Sequence, residues 1–261
     1  MYACEYERPT SVDQAVALIS NGGQALSGGQ TLIATMKQRL AAPGTLGDLG
    51  GIKDLQGIRM DGDHLVIGAM TCHADVAESD VVKKAIPALA ELAGGIGDRQ
   101  VRARGTIGGS LANNDPAACY PSAVLALGAT VITNRRSIAA DDFFLGMYAT
   151  ALEPGEIITA VSFPTPQAAA YEKFKQQASR FALVGVFVAK TSSGVRVAVT
   201  GAGSGVFRCA EMEAALNGNF SAEAAAGVKV SADGLNSDIH GGADYRAHLI
   251  AVMTQRAVGK A

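Results

Sequence analysis

The sequence predicts an α+β protein, and three observations predict it. Short strand-like runs alternate with helical periodicity through the first 58 residues. An Asp-Gly pair between two apolar runs then announces a hairpin. After Pro164 and Pro166, with the alanines that follow them, three strand-like runs precede two helical ones, the order of an α+β unit. These breaks divide the chain into 1–167, with subdomains of about 1–58 and 59–167, and 168–261.

The elements follow in order. Cys4 to Arg8 is a short strand. Thr10 opens a helix, with Asp13 as a capping-box variant, and Val12, Ala15, Val16 and Ile19 make its apolar stripe. Gly22-Gly23 ends it. Gln24 to Leu26 is a strand that runs into a glycine turn. Leu32 to Leu40 is the next helix, with Leu32, Ile33 and Met36 toward the core, and Pro43-Gly44 ends that unit. Gly57 to Met60 and Leu65 to Ala69 flank Asp61-Gly62-Asp63 as a hairpin. Thr71 to Glu78 is a short helix. Ser79 caps another, Pro87 restarts it and Gly94-Gly95 stops it. Val101 to Ala123 holds too many small and polar residues for an ordinary element. Pro121 to Leu127 is a helix. Thr130 to Thr133 and Ile157 to Phe163 are strands, with a turn at Glu153 to Glu156. Past residue 168, Tyr171 to Gln177, Val184 to Ala189 and Val195 to Thr200 are strands of a three-stranded sheet, and Arg208 to Leu216 and Tyr245 to Val258 are helices.

Composition narrows the function. The 261 residues suffice for two or three packed units, and 48% hydrophobic with 18% charged residues is ordinary for a globular protein. A net charge of −2 gives no reason to expect nucleic acid or an acidic membrane as partner. The pair Arg135-Arg136 reads as a solvated turn. No apolar run approaches a transmembrane length, and the start, MYACEYERPTS, lacks the features of a signal peptide, so a cytoplasmic protein is expected. Cys4, Cys72, Cys119 and Cys209 are scattered without C-x-x-C, which argues against zinc, an iron–sulfur cluster in this chain or a disulfide framework.

Two stretches carry chemistry. Ala25 to Ile33 reads ALSGGQTLI, a strand feeding a glycine turn that opens a helix, the usual way to hold a phosphate on free N–H groups. Val101 to Ala123 reads VRARGTIGGSLANNDPAACYPSA, with Gly108-Gly109 in a polar setting. Glycine lets a backbone approach a ligand closely, and exposed N–H groups in such a turn make an anion-binding concavity. No G-x-x-x-x-G-K-[ST] occurs. Two separate cradles suit a long ligand with a central pyrophosphate. Val195 to Gly205, VRVAVTGAGSG, imitates a dinucleotide fingerprint, but Val206 stands where the third glycine belongs.

SGGQTL followed by RGTIGGSLANNDPAA resembles the FAD-binding medium subunits of the molybdenum hydroxylases, the xanthine dehydrogenase and aerobic carbon monoxide dehydrogenase type. The resemblance covers nearly the whole chain. It implies a two-subdomain FAD-binding fold of the p-cresol methylhydroxylase type and a small α+β C-terminal domain. It assigns FAD contacts to Ala25, Leu26, Ser27, Gly28, Gly29, Gln30, Thr31 and Leu32, and to Thr106, Ile107, Gly108, Gly109 and Ser110. Ile96 would lie against the ring, Ile158 on a strand lining the adenine side, and Lys173 would reach the cofactor, with Lys175 as the alternative. Cys119 stands where many relatives carry an aspartate that contacts FAD; a thiol is a weak donor and normally neutral. FAD would be held non-covalently, and its N–H partners are expected at Gly108-Gly109. The molybdenum cofactor would sit on a large partner chain and [2Fe–2S] clusters on a small one, with quinone, NAD or oxygen as electron acceptor. No acid–base pair lies near the motifs, which favours electron transfer over substrate chemistry. A self-contained FAD-dependent oxidoreductase of the same fold and a redox-silent flavin-binding module are the alternatives.

Overall fold

The computed structural model describes residues 1–261. Its larger sheets occupy successive stretches of chain. In the first, β1 (Glu5–Glu7), α1 (Val12–Ser20), β2 (Gln24–Leu26), α2 (Leu32–Lys37) and β3 (Thr45–Asp48) build a parallel sheet in the order β1-β3-β2. Its central strand, β3, is absent from the sequence reading. Gly47 lets it run beneath α1, since a Cβ there would lie 2.9 Å from Leu18 Cδ2. Helix α1 starts one turn position later than expected. Ser11 Oγ accepts from Gln14 N at 3.3 Å, and Gln14 Oε1 accepts from Thr10 N at 2.9 Å, so Gln14 and not Asp13 completes the cap. Ala15 is fully buried, with Val12, Val16 and Ile19 packed beside it.

The second stretch contains β4 (Ile58–Asp61), β5 (His64–Gly68), α3 (His73–Glu78), α4 (Asp80–Ala85), α5 (Pro87–Gly94), α6 (Arg99–Arg102), α7 (Ile107–Asn113), α8 (Tyr120–Ala126), β6 (Thr130–Thr133), β7 (Ser137–Ala139), α9 (Ala140–Phe143), β8 (Phe144–Gly146), β9 (Ala149–Thr150) and β10 (Ile158–Pro164). Five of its strands pair antiparallel in the order β4-β5-β10-β6-β7. Gly62, at φ +61°, makes the hairpin turn. Ser79 caps α4 through Val82 N, and Pro87 is the first residue of α5. Arg135 and Arg136 are more than a solvated turn. Arg136 Nε donates to Glu156 at 3.0 Å, and both arginines pair with Glu153, because Glu156 is buried and needs a counter-ion.

The third stretch is a meander of β11 (Ala168–Lys175), β12 (Ala182–Thr191), β13 (Gly194–Thr200) and β14 (Phe207–Arg208), covered by α10 (Ala210–Gly218), α11 (Ala222–Ala226) and α12 (Ala243–Val258). The sheet has four strands where three were expected; β14, two residues long, carries too little pattern to read. The Val195–Gly205 run is most of strand β13 followed by a turn that leads into β14. Gly201 sits at φ +82°, a Cβ there would meet Leu183 O at 2.8 Å, and the turn leads into a strand before any helix begins. The buried Arg246 donates to Leu183 O at 3.1 Å and Gly201 O at 2.9 Å, fixing that turn. Helix α5 packs on β11, and α8 packs on β12 and β13. Tyr171, Phe187, Ala189 and Ala198 therefore share one core with α5 and α8.

Candidate functional site

Strand β2 ends at Leu26, and the chain turns through Ser27, Gly28 and Gly29 into α2. Gly29 has φ +72°, which favours glycine. Thr31, before α2, makes no side-chain cap. None of the backbone N–H groups of Ser27, Gly28, Gly29, Gln30, Thr31 and Leu32 donates to a protein acceptor. A half-exposed loop thus presents a row of free donors, the arrangement that receives an anion.

The second loop locks against the first. A Cβ on Gly28 would collide with the Arg104 carbonyl and lie 2.7 Å from Gly105 Cα, so the two backbones touch there. Ser27 Oγ and Thr106 Oγ1 are 2.6 Å apart. Thr106 Oγ1 accepts from Gly109 N at 3.1 Å, and Ser27 Oγ donates to Met70 Sδ at 2.9 Å. One consistent relay therefore runs from Gly109 N–H through both hydroxyls to Met70.

The glycine pair of the second loop corrects the sequence reading. Gly108 and Gly109 lie in the helix α7, capped by Thr106, and neither has positive φ. Gly108 N donates to Ala69 O at 2.8 Å and Ile107 N to Thr71 O at 3.2 Å. The N–H groups of Gly108 and Gly109, expected to face a ligand, are committed inside the protein, that of Gly109 to Thr106 Oγ1. What glycine provides is close packing: a Cβ on Gly108 would lie 2.6 Å from Ala69 Cβ, and one on Gly109 would lie 2.9 Å from Thr106 Oγ1.

A second cluster forms where α5, α8 and β11 meet. Lys173 Nζ donates to Gly95 O at 2.8 Å and Arg180 O at 3.1 Å, and lies 3.4 Å from Cys119 Sγ. Lys175 is exposed and shares none of these contacts, because the register shifts between Phe174 and Lys175. Ile96 is half-buried beside Gly95, whose carbonyl Lys173 holds, and its own carbonyl accepts from Arg102 Nη1 at 3.0 Å. Arg102 also reaches Gly97 O at 3.3 Å. Cys119 is 6% exposed.

His73 joins the two clusters, and sequence reasoning gave it no role here. Its ring lies 5.3 Å from that of Tyr120, and a Cβ on Gly105 would be 2.6 Å from its Nε2. Burial, with help from the charge of Arg102, lowers its pKa to about 4, so it is neutral at pH 7. Among the expected contacts, Ala25, Leu26, Leu32 and Ser110 are half-buried, and Gln30 and Thr31 are exposed at the loop. Ile107 and Ile158 stand apart. Their side chains are buried in the central core, and Ile158 is 4% exposed.

The description of the FAD binding domain in molybdopterin dehydrogenase matches residues 2–166, and that of the CO dehydrogenase flavoprotein C-terminal domain matches residues 169–261. The chain belongs to the FAD-binding medium subunits of the molybdenum hydroxylase family. It is 42% identical to the carbon monoxide dehydrogenase medium chain of Afipia carboxidovorans, over 73% of this chain and 69% of that one. The nicotine 6-hydroxylase medium subunit of Paenarthrobacter nicotinovorans is 36% identical over 99% of this chain and 97% of its own. Among solved structures, reconstituted CO dehydrogenase from Oligotropha carboxidovorans superposes with a TM-score of 0.93, at 35% identity, over 100% of this chain and 98% of that one. FAD is the cofactor of this medium subunit, and the residues present fit it. Free N–H donors on the first loop suit a pyrophosphate, and the loop glycines exclude side chains where the second loop closes against it. No helix is long and apolar enough to cross a membrane.

Proposed function

We propose that this chain is the electron-transfer subunit of a molybdenum hydroxylase. It takes electrons from [2Fe–2S] clusters on a small partner chain and passes them to an external acceptor, a quinone, NAD or oxygen. A large partner chain, in a hetero-oligomer of cytoplasmic location, carries the molybdenum cofactor and oxidises the substrate. The division into an FAD-binding domain, 1–167, and a C-terminal domain, 168–261, belongs to the same proposal.

The observation that carries the reading is the row of unpartnered N–H groups from Ser27 to Leu32, held against the second loop by the Ser27–Thr106 contact. That row is the pyrophosphate seat. Gly28 and Gly109 keep the seat narrow, and Thr106 orients both hydroxyls. Ile96 supplies an apolar wall, Lys173 a cation, and Cys119 a small floor. When bound, FAD supplies the exchange of electrons between a donor and an acceptor. The chain positions it and sets its electrostatics. His73, neutral and wedged behind Gly105, holds the second loop and is not placed to attach a flavin. The four cysteines are scattered through the fold, which is why the clusters are assigned to a partner.

Copurification tests the reading. The intact complex should contain this chain with two others, and molybdenum and iron should remain with those others when the complex is split. Substrate should bleach the flavin of the complex and leave that of the separated chain oxidised. Substrate-dependent reduction of flavin in the separated chain would overturn the proposal.

A further inference from the structure

We propose that Lys173, left without a counter-ion because position 119 holds a thiol, is the cation that biases the bound flavin toward its electron-loaded form. This rests on the reading that the flavin ring lies beside Ile96 and Lys173.

The cluster gathers cations on backbone carbonyls and a sulfur, with no carboxylate among their partners. None of the three contacts of Lys173 Nζ is a carboxylate: they are Gly95 O, Arg180 O and Cys119 Sγ. The other cations of the cluster behave alike. Arg102 donates to the carbonyls of Ile96 and Gly97, and Arg180 Nη1 reaches Gly97 O at 3.5 Å. No carboxylate oxygen lies within 4.0 Å of Lys173, Arg102 or Arg180. Elsewhere the half-buried Arg196 is paired with Asp141, the buried Arg246 with Asp238 and the exposed Arg208 with Glu213. Glu172, next to Lys173 on β11, points to the other face of the strand and is bound to Lys260 at 2.6 Å. Asp98 is occupied in capping α6 through Val101 N.

Three positive groups therefore gather on the single loop Gly95 to Gly97 with no anion to offset them. Two-electron reduction of a flavin with uptake of one proton leaves one negative charge on the ring. A fixed cation beside the ring favours that state, and does so strongly where burial limits screening by salt. A carboxylate at position 119 would touch Nζ and cancel much of this bias. Cys119, 6% exposed, brings no carboxylate to Nζ and leaves it intact. The electrons come from the partner's iron–sulfur cluster in the complex, or from dithionite in the test.

The test is an anaerobic redox titration of the full chain with FAD bound, against a dye of known potential. Cys119→Asp should shift the reduction equilibrium toward oxidised flavin by tenfold or more, about 30 mV for a two-electron couple. Cys119→Ala, which removes the thiol and adds no charge, should shift it less than threefold. Lys173→Met should move it in the same direction as Cys119→Asp, and Lys173→Arg should hold it near the wild-type value. The inference is overturned if Lys173→Met shifts the potential while Cys119→Asp keeps FAD and titrates as wild type. It is equally overturned if Lys173→Arg falls as far as Lys173→Met, a comparison that remains should Cys119→Asp not fold. If every variant binds FAD and none shifts, the ring does not lie beside Lys173, and the site reading fails first.

Discussion

Replacing Gly28 by alanine tests the contact on which the site depends. The added carbon would strike the Arg104 carbonyl and approach Gly105 Cα to 2.7 Å, where ordinary contact begins at 3.4 Å. One loop must withdraw by roughly 1 Å, an overpacking that costs about 1–3 kcal/mol. The second loop cannot be the one that moves easily. Gly105 N donates to Val101 O at 2.7 Å, and Gly105 O accepts from His73 N at 2.9 Å. The first loop therefore lifts, and Ser27 loses Thr106, a bond worth about 0.5–1.5 kcal/mol. The row of free N–H groups moves with it. FAD affinity should fall by about tenfold to several hundredfold, and the cofactor-free chain should melt several degrees lower, at about 2–4 °C per kcal/mol. Gly29→Ala makes the comparison. Its Cβ would meet only side chains, Ile33 Cγ1 at 3.0 Å and Leu26 Cδ1 at 3.4 Å, but φ +72° strains it. Titration of apoprotein with FAD by flavin fluorescence, with thermal melts alongside, reads both effects. A Gly28→Ala protein with wild-type affinity and melting temperature would refute the packed-loop argument.

Gly109→Val should purify soluble with near-normal far-ultraviolet circular dichroism but little flavin, because its Cβ presses on Thr106 Oγ1 at 2.9 Å and Ser27 Cβ at 3.4 Å; full flavin absorbance after gel filtration would argue against it. His73 has a pKa of about 4 in the fold and 6.5 ordinarily, so its contribution is whole above pH 6.5 and is lost as pH falls toward 4, by up to about 1.4 kcal/mol per unit. His73→Phe should flatten the stability–pH curve in that window, and an unchanged slope would contradict the assignment. Glu156 is held down to about 2 from 4.5, first by its bond from Arg136 and also by Glu153 N and Thr133, so its contribution is present above pH 4.5 and lost toward pH 2. Glu156→Gln should lower stability at pH 7 and remove that acid-dependent loss, as chemical denaturation at each pH would show.

The parts that were legible in the sequence are those with local chemistry. Asp61-Gly62 announces its hairpin, Ser79 and Pro87 their helices, and the glycine turn after Leu26 the open donor loop. Strand β3 was not legible, because its four residues gain strand character only by parallel pairing with β1 on one side and β2 on the other. Helix α7 was hidden by its composition. Two glycines and the pair Asn113-Asn114 oppose a helix, yet Gly108 is required where α7 packs on Ala69, and Asn114 ends the helix in the left-handed region at φ 43°. The meeting of Ser27 with Thr106 spans 79 positions and follows from no local rule. That Lys173 and not Lys175 reaches Gly95 and Cys119 turns on a register shift that strand alternation alone does not reveal.

The most direct test of the account is the flavin itself. The purified full chain, denatured in acid and centrifuged, should release its flavin to the supernatant as FAD, with close to one per chain and none left on the precipitated protein. FMN in the supernatant would contradict the two-loop seat for a pyrophosphate, and yellow colour that stays with the protein would contradict non-covalent binding.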